Sequence, residues 1–281
     1  MTEKPPRIEY VEARRVLLDA LVALRPHLGA VVLVGAQAVY LRTDGRLPTY
    51  QAFTTDADLV ITPELLAGAP LLGAAMETAG FVYTGEPGIW ERRVHRHGFD
   101  GALAVPVDLI VPSQIAPEAG SRGARLPGGH GKTTARKCDG VEGAVVDFDP
   151  FEISSLESDD HRRIVVNVAG PAALLVAKSY KLGERLETPR RLLAKDAGDV
   201  YRLIDATATT DMAAATMRLL RDDRTAATAR RGLLHLRTLF LTPRSTGITL
   251  ATQALAGVVD EPTVTTVMTG YIRELLELVD S

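Results

Sequence analysis

The sequence predicts an α/β fold of the α+β kind, in which a mixed sheet occupies the first part of the chain and a helical region follows. Three observations support this prediction. Short β-branched runs alternate with helical patterns over residues 10–80, short strand patterns dominate residues 81–167, and nearly every segment after residue 170 has helical periodicity. The chain has 281 residues, of which 46% are hydrophobic, enough for one large domain or two modest ones. We place a boundary between an α/β domain, residues 1–169, and a helical domain, residues 170–281.

The first elements follow from the spacing of apolar residues. Residues 10–28 repeat apolar side chains every three or four positions, which predicts an amphipathic helix. A buried strand, Val31–Val34, then turns at Gly35 into a helix. The remaining elements predicted in this part are a helix at 36–42, a strand at 56–61 and a helix at 64–80 that ends at Gly80.

The rest of the chain divides into short strands and then helices. The predicted strands are 89–95, 103–111, 141–148 and 164–168, with a Gly/Pro-rich loop at 112–131. The predicted helices are 171–186, 189–206, 211–220, 225–241, 246–259 and 262–279. Prolines 171, 189 and 262 stand where the first turn of a helix tolerates proline.

Composition limits the compartment and the partners. Cys138 is the one cysteine, so an internal disulfide is excluded and a reducing cytoplasm is the expected location. The longest apolar stretch near the N-terminus is residues 29–40. A membrane-spanning helix needs about 20 residues, so no membrane partner is expected. The net charge of −3 argues against a polyanionic partner only as an average, because basic residues cluster in 122–137 and 218–244.

Three aspartates carry the chemistry that the sequence predicts. Asp56 and Asp58 are two residues apart on a predicted strand, so their side chains project to the same face. Asp108 lies in an apolar strand, where a buried carboxylate needs a cationic partner or a metal. Carboxylates that converge suit Mg²⁺ or Mn²⁺, and a two-metal site activates a hydroxyl for attack on a phosphate. A surface turn for Asp56 and Asp58, and an arginine partner for Asp108, remain open alternatives.

The order of these features resembles the nucleotidyltransferases of the DNA polymerase β superfamily. In that pattern a strand, a Gly-Ser or Gly-Gly turn and an Asp-x-Asp strand precede a third carboxylate. Here the turn is Gly35-Ala36, and Ala36 removes one hydroxyl that would contact phosphate. The spacing looks more like the AbiEii-type and MenT-type toxin nucleotidyltransferases, in which an arginine and a Ser/Thr precede the Asp pair, as Arg46 and Thr54 or Thr55 do here.

A second pair of motifs resembles the same toxin family. A helical Leu-Leu-x-x-Lys pattern ends at Lys178, and a Lys-Asp-x-x-Asp pattern contains Asp196 and Asp199. The resemblance implies that Lys178, with Lys181 on the same helix face, contacts the nucleotide phosphates. It also implies that Asp196 orients the nucleotide or completes the polar site. A salt-bridged pair of helices is the alternative explanation of these residues.

The resemblance implies a Mg²⁺-dependent enzyme that uses an NTP as substrate and transfers a nucleoside monophosphate to the 3′ end of tRNA, which blocks translation. Asp56 and Asp58 would hold the metals together with Asp108, which deprotonates or orients the acceptor hydroxyl. Gly35, Ala36, Thr54 and Thr55 would lie at the nucleotide. Residues 1–169 would form the nucleotidyltransferase domain, and residues 170–281 would complete the site and bind the acceptor.

The resemblance also implies a type IV-like toxin–antitoxin system with a cognate antitoxin protein, and phosphorylation of Thr54 or Thr55 is one conceivable route of inactivation. Two other functions stay open. One is nucleotidylation of a small molecule, such as an aminoglycoside, or of a protein hydroxyl. The other is an inactive module of the same fold that only binds a protein or RNA, which Ala36 favours.

Overall fold

The computed structural model describes residues 7–44, 46–47, 53–95, 102–116, 122–188, 190 and 192–280. The strands are β1 Val31–Val34, β2 Ala57–Ile61, β3 Val82–Tyr83, β4 Ile89–His95, β5 Ala102–Pro112, β6 Gly123–Leu126, β7 Gly131–Cys138, β8 Phe148–Ser154 and β9 Arg163–Ala169. The α-helices are α1 Ile8–Ala23, α2 Gly35–Arg42, α3 Leu72–Thr78, α4 Pro171–Glu184, α5 Ala194–Ala206, α6 Thr209–Arg221, α7 Ala226–Phe240, α8 Thr246–Ala254 and α9 Glu261–Asp280. Short 3₁₀ turns occur at Arg25–Ala30, Pro63–Leu65 and Glu142–Val145.

The strands form one mixed sheet whose main order is β3-β4-β5-β2-β1-β9-β8. The long strand β5 is parallel to β2 along one edge and antiparallel to β4 along the other. Beyond Asp108, that second edge of β5 pairs in parallel with β7, which in turn pairs with β6. The predicted α/β class, with a mixed sheet and helices toward the C-terminus, is therefore confirmed.

Alternation along the central strands separates an apolar face from a polar one. Leu59 and Leu109 are fully buried, and helix α1 contacts their strands, β2 and β5, through an apolar stripe that includes Leu17 and Leu21. Their neighbours in sequence are the aspartates 58 and 108, which point to the other side because successive strand residues alternate. The sheet thus presents its carboxylates away from α1.

The change of element type falls between the last strand and α4. Strand β9 ends at Ala169 and α4 begins at Pro171, so the strands and the later helices meet where the sequence placed a boundary. One cluster of buried apolar side chains nevertheless extends from α1 to α9. Helix α2 also contacts α4 and α5. The division into domains 1–169 and 170–281 stays a prediction.

Several predicted elements are wrong or displaced. The helix at 64–80 is a 3₁₀ turn at Pro63–Leu65 followed by α3, because Pro70 has no amide hydrogen for a helical bond. The strand at 141–148 is instead a 3₁₀ turn, and the strand β8 begins only at Phe148. The predicted loop 112–131 contains β6, and β7 follows at Gly131–Cys138.

The helices near the C-terminus match their predictions closely except at two places. Helix α5 begins at Ala194, and the predicted start at Pro189 lies outside the described residues. Helix α8 ends at Ala254, five residues before its predicted end at 259. Among the described residues, no helix combines the length and apolarity that crossing a membrane would require.

Two buried histidines fix the loop that leads into α3. The rings of His27 and His130 pack edge to face with centroids 5.4 Å apart. Nε2 of His27 lies 2.8 Å from the carbonyl oxygen of Pro70. Nδ1 of His130 accepts a hydrogen bond from the Leu72 amide at 3.0 Å, and its Nε2 lies 2.9 Å from the carbonyl oxygen of Ala67. His130 therefore accepts a hydrogen bond at Nδ1 and donates one at Nε2.

We expect acid to destabilise the protein through His27. Burial, with a smaller effect of His130, lowers the pKa of His27 below its ordinary 6.5. His27 in the unfolded chain therefore binds a proton near pH 6.5, whereas His27 in the folded chain stays neutral to lower pH. The free energy of unfolding is highest above pH 6.5 and falls below it. His27→Gln, which keeps a donor for Pro70, should lose about 2–4 °C less in Tm than the wild type between pH 7.5 and 5.5. The exposed His161→Gln is the control, and equal slopes for the wild type and His27→Gln would contradict this assignment.

Candidate active site

Strand register places three charged side chains on one face of the sheet. Asp58 of β2 lies directly beside Asp108 of the parallel strand β5. Arg136 of β7 lies beside Ile110, two residues beyond Asp108. Because paired residues share a face and residues i and i+2 of a strand point the same way, the two carboxylates and the guanidinium project together. The sequence predicted that the aspartates converge, but it did not identify Arg136.

Gly35 is required where β1 turns into α2. Its φ of +71° lies in the left-handed region, and an added Cβ would come within 2.0 Å of Asp58 Oδ2. The Asp58 carboxylate therefore lies against the first turn of α2, and any larger residue at 35 would displace it. The neighbouring Ala36, which has no hydroxyl to offer a ligand, is 5% exposed.

Helix α2 also fixes the segment that leads into β2. The Tyr40 hydroxyl donates to the Phe53 carbonyl oxygen at 2.9 Å, and the Gln37 amide donates to the Asp56 carbonyl oxygen at 2.9 Å. Within the segment, the Thr54 hydroxyl donates to Asp56 Oδ1 at 2.5 Å. These bonds set the position of Asp56 two residues before Asp58.

The two predicted threonines differ in accessibility. Thr54 is fully buried, and Nζ of Lys195 lies 3.4 Å from its hydroxyl oxygen. Thr55 is exposed. Lys195 thus links α5 to the acidic segment, a contact that the sequence analysis missed. Of the two side chains, Thr55 is the one that a modifying enzyme could reach without local opening.

Burial and the crowding of like charges act together on the carboxylates of the sheet face. Burial, then the nearby Asp56 and Asp108, raise the pKa of Asp58 to about 7, against the smaller opposite effects of Lys181 and Lys178. A half-buried carboxylate that resists ionisation in this way lacks sufficient positive charge around it. The site therefore favours an additional cation.

Asp108 already has a cationic partner. Nη2 of Arg136 donates to Asp108 Oδ2 at 2.6 Å, and both side chains are largely shielded, at 29% and 17% exposure. Burial tends to lower the pKa of Arg136, but the bond and charge of Asp108 raise it. This is the arginine partner that the sequence analysis kept open for Asp108.

Lys178 and the two α5 aspartates form a buried ionic cluster. Nζ of Lys178 lies 3.0 Å from Asp196 Oδ1 and 2.6 Å from Asp199 Oδ2, and both aspartates have no exposed side-chain area. Nζ of Lys181 and Nη1 of Arg185 also approach Asp196, at 3.2 Å and 3.4 Å. The predicted residues Lys178, Lys181 and Asp196 are therefore together, in the helix-to-helix ion pairing that was the alternative explanation.

The protonation states follow from this cluster. Burial tends to lower the pKa of Lys178, but Asp199 and Asp196 raise it well above the ordinary lysine value. Burial tends to raise the pKa of Asp196, but Lys178 and Lys181 lower it to about 2. Lys178 is therefore a fixed positive charge, and Lys181, with a 43% exposed side chain, is the more available cation for a ligand.

A cavity of about 460 Å³ lies between the sheet face and α4. Its cationic lining residues are Arg122, Arg136, Lys137, Lys178, Lys181 and Arg185. Its acidic lining residues are Asp58, Glu86, Asp139 and Glu184, and Gly35 forms part of the wall. The predicted Gly35, Asp58, Lys178 and Lys181 thus line one cavity, whereas Asp56, Asp108 and Asp196 are not among its lining residues. An excess of cations beside a carboxylate pair suits a phosphate-bearing ligand with a metal.

The acidic group Asp56, Asp58 and Asp108 supplies the hard oxygen donors that Mg²⁺ and Mn²⁺ prefer. The raised pKa of Asp58 fits a cation at this position. Within the described residues, no three His, Cys, Asp or Glu side chains are already grouped to hold a metal ion. One oxygen of Asp108 is bound to Arg136 and one of Asp56 to Thr54. The donors therefore fit the ion, provided that Arg136 releases Asp108.

Comparisons with known proteins include a structural likeness. No protein-family model matches the chain, and no curated protein matches it. Among solved structures, the chain is similar to the crystal structure of an antigenic nucleotidyltransferase-like protein from Paracoccidioides brasiliensis. That similarity has a TM-score of 0.43 and 14% sequence identity, and it covers 90% of this chain and 96% of the other.

Replacing Gly35 with alanine should destabilise the protein. The left-handed backbone alone costs a non-glycine residue about 1–3 kcal/mol, and the overlap with Asp58 adds to that cost. Urea unfolding followed by circular dichroism would measure the loss. Gly29→Ala is the matched control, because nothing lies within 4 Å of its added Cβ. A Gly35→Ala protein as stable as the control would show that Asp58 does not lie against this turn.

Lys178 and Lys181 should contribute very differently to the unfolding free energy. Lys178→Met leaves Asp196 and Asp199 buried without their closest cation, so we expect a loss of about 3–5 kcal/mol in unfolding free energy. Lys181→Met removes a half-exposed partner and should cost no more than about 1 kcal/mol. Denaturant titration of both variants checks this contrast, and similar losses for the two would refute the buried-cluster assignment.

Proposed function

We propose that this chain is a Mg²⁺-dependent nucleotidyltransferase. The observation that carries the proposal is the pair Asp58 and Asp108, side by side on parallel strands, with Asp58 lining a cation-rich cavity beside the Gly35 turn. Two adjacent carboxylates serve metal binding, and the cations suit a triphosphate. A site for a neutral or cationic small molecule would not need this many basic side chains.

The binding of the nucleotide follows from the lining. Lys181 on α4 and Arg185 directly after it lie at the cavity, and each also approaches the buried Asp196. They are placed to neutralise the phosphates, with Lys178 adding its fixed charge from behind. The first turn of α2, whose amide groups have no helical partner, suits an anionic group near Gly35. Because Ala36 supplies no hydroxyl, the phosphates depend on the α4 cations.

The reaction breaks one phosphoanhydride bond and forms one phosphodiester bond. The acceptor hydroxyl oxygen bonds to the α-phosphorus, and pyrophosphate leaves with the bridging oxygen. Asp108 takes the hydroxyl proton on one of its carboxylate oxygens. Asp56 and Asp58, with Asp108, would hold Mg²⁺ or Mn²⁺, which lowers the pKa of the attacking hydroxyl and offsets charge on the leaving group.

The acceptor we propose is the 3′ end of tRNA, which makes the protein a translation-blocking toxin with a cognate antitoxin in the cytoplasm. Arg221, Arg230 and Arg231 on α6 and α7 support a polyanionic acceptor. All three are exposed and pair with no carboxylate within the described part of the chain. The basic lining of the cavity disfavours a cationic aminoglycoside, although a protein hydroxyl remains a second candidate. Ala36 is the feature that favours an inactive binding module.

Removing the Asp58 charge should abolish nucleotide transfer. Asp58→Asn keeps the shape of the side chain and relieves the crowding with Asp56 and Asp108, so the fold should persist or gain stability. Transfer should fall at least about a hundredfold, since metal stabilisation of the transition state is worth several kcal/mol. The assay is transfer of α-³²P-labelled NTPs to total tRNA. The exposed Asp159→Asn is the matched control, and wild-type rates for Asp58→Asn would overturn the proposed function.

The acceptor can be identified in the same assay. Each labelled NTP is incubated with the wild-type protein and tRNA, an aminoglycoside, or the protein alone. We expect label at tRNA 3′ ends, read by sequencing of those ends. Label on the aminoglycoside or on protein would replace the tRNA proposal while keeping nucleotidyl transfer. If none of the acceptors is labelled but nucleotide binds, the inactive binding module would be favoured.

A further inference from the structure

Arg136 occupies the position where two requirements of the site conflict. It neutralises Asp108 with a bond of 2.6 Å, and that ion pair competes with any metal ion for the Asp108 carboxylate. It also lines the cavity, where an anionic ligand would bind. The same guanidinium therefore faces an internal carboxylate and a ligand space at once.

The base of the Arg136 side chain is held in place by Gly88. With φ of +77°, Gly88 lies so close to β7 that an added Cβ would be 2.5 Å from the Arg136 amide nitrogen and 2.8 Å from its Cγ. The stem of Arg136 is therefore fixed against the β4–β5 edge. Motion is left to the outer part of the side chain, which is long enough to carry the guanidinium between neighbouring partners.

The guanidinium also has hydrogen-bonding capacity that Asp108 does not use. Its Nε is buried and makes no hydrogen bond within the described residues. A buried N–H without a partner is costly, and a phosphate oxygen in the cavity would satisfy it. The neighbouring carboxylate Asp58 belongs to the same acidic group. A metal ion that replaces Arg136 would therefore also stabilise the ionised form of Asp58.

We propose that Arg136 is a partner-switching residue that pairs with Asp108 in the unliganded protein and with the triphosphate once the metal is bound. This inference rests on the proposed function. It assigns Arg136 two effects of opposite sign. Arg136 competes with the metal for Asp108, so it weakens binding of the metal alone, and it strengthens binding of the triphosphate. Metal and nucleotide therefore bind cooperatively. The triphosphate draws Arg136 away from Asp108, which favours the metal, and the metal occupies Asp108, which frees Arg136 for the triphosphate.

Two binding measurements on the full chain test the switch. Mn²⁺ alone is titrated with free Mn²⁺ read by electron paramagnetic resonance, and inorganic tripolyphosphate is titrated calorimetrically in excess Mg²⁺. For Arg136→Gln we expect about tenfold tighter Mn²⁺ and about tenfold weaker tripolyphosphate, within the usual range of coupling between sites. Arg136→Lys keeps the charge and should lie between Arg136→Gln and the wild type. The exposed Arg273→Gln should match the wild type in both titrations.

A reciprocal variant keeps the test valid if Arg136→Gln does not fold. Asp108→Asn frees Arg136, so it should bind tripolyphosphate more tightly in the absence of metal. The gain should disappear in the double variant Asp108→Asn/Arg136→Gln. A gain that persists in the double variant would show that the lost negative charge alone was responsible, and it would overturn the switch.

The outcomes separate this inference from the proposed function. Affinities for Mn²⁺ and tripolyphosphate that fall together in Arg136→Gln, or that do not change, overturn the switch and leave nucleotidyl transfer standing. Opposite changes without any labelled product support the switch and count against the transfer reaction. If neither the wild type nor any variant binds Mn²⁺ or tripolyphosphate, both proposals fail.

Discussion

The repulsion between two carboxylates on neighbouring strands is the constraint on which the rest of the site depends. Parallel pairing of β2 and β5 places Asp58 beside Asp108, and half-burial raises the pKa of Asp58 to about 7. Such an arrangement persists only if the fold supplies compensating charge. Arg136 supplies it directly, and the α4 lysines supply it from across the cavity. The basic lining of the cavity is thus the counterpart of an acidic sheet face.

Helix α2 connects this face to the rest of the molecule. Its first residue lies against the Asp58 carboxylate, and Gln37 and Tyr40 hold the backbone that leads to Asp56. Gln37 in turn accepts a hydrogen bond from Arg14 of α1, at 3.0 Å. Thr43, directly after the last residue of α2, accepts a hydrogen bond from Arg202 of α5. One eight-residue helix therefore joins α1, the carboxylates and the helical region, so small shifts of α5 would reach the site.

The sequence predicted those parts of the structure that periodicity and local chemistry determine. It located the strand before Gly35, the Asp-x-Asp strand and most of the later helices. It missed β6 and β7, because their Gly-rich, charged segment looks like a loop until β5 provides an edge to pair with. The same long-range pairing brings Arg136 to Asp108. A run of basic residues at 122–137 was visible in the sequence, but which of them faces a carboxylate depends on strand register.

The ionic cluster on α4 and α5 explains why the net charge of −3 is a poor guide to the ligand. Asp196 and Asp199 are acidic in the formal count, yet both are buried against Lys178 and present no charge to solvent. A buried lysine with two aspartates costs desolvation that apolar residues would avoid, so the cluster gains little for stability alone. Its effect is to hold Lys181 and Arg185 around Asp196 at the edge of the cavity. Asp196 thus sets the positions of these cations. The surface that a ligand meets is therefore more basic than the net charge of the chain indicates.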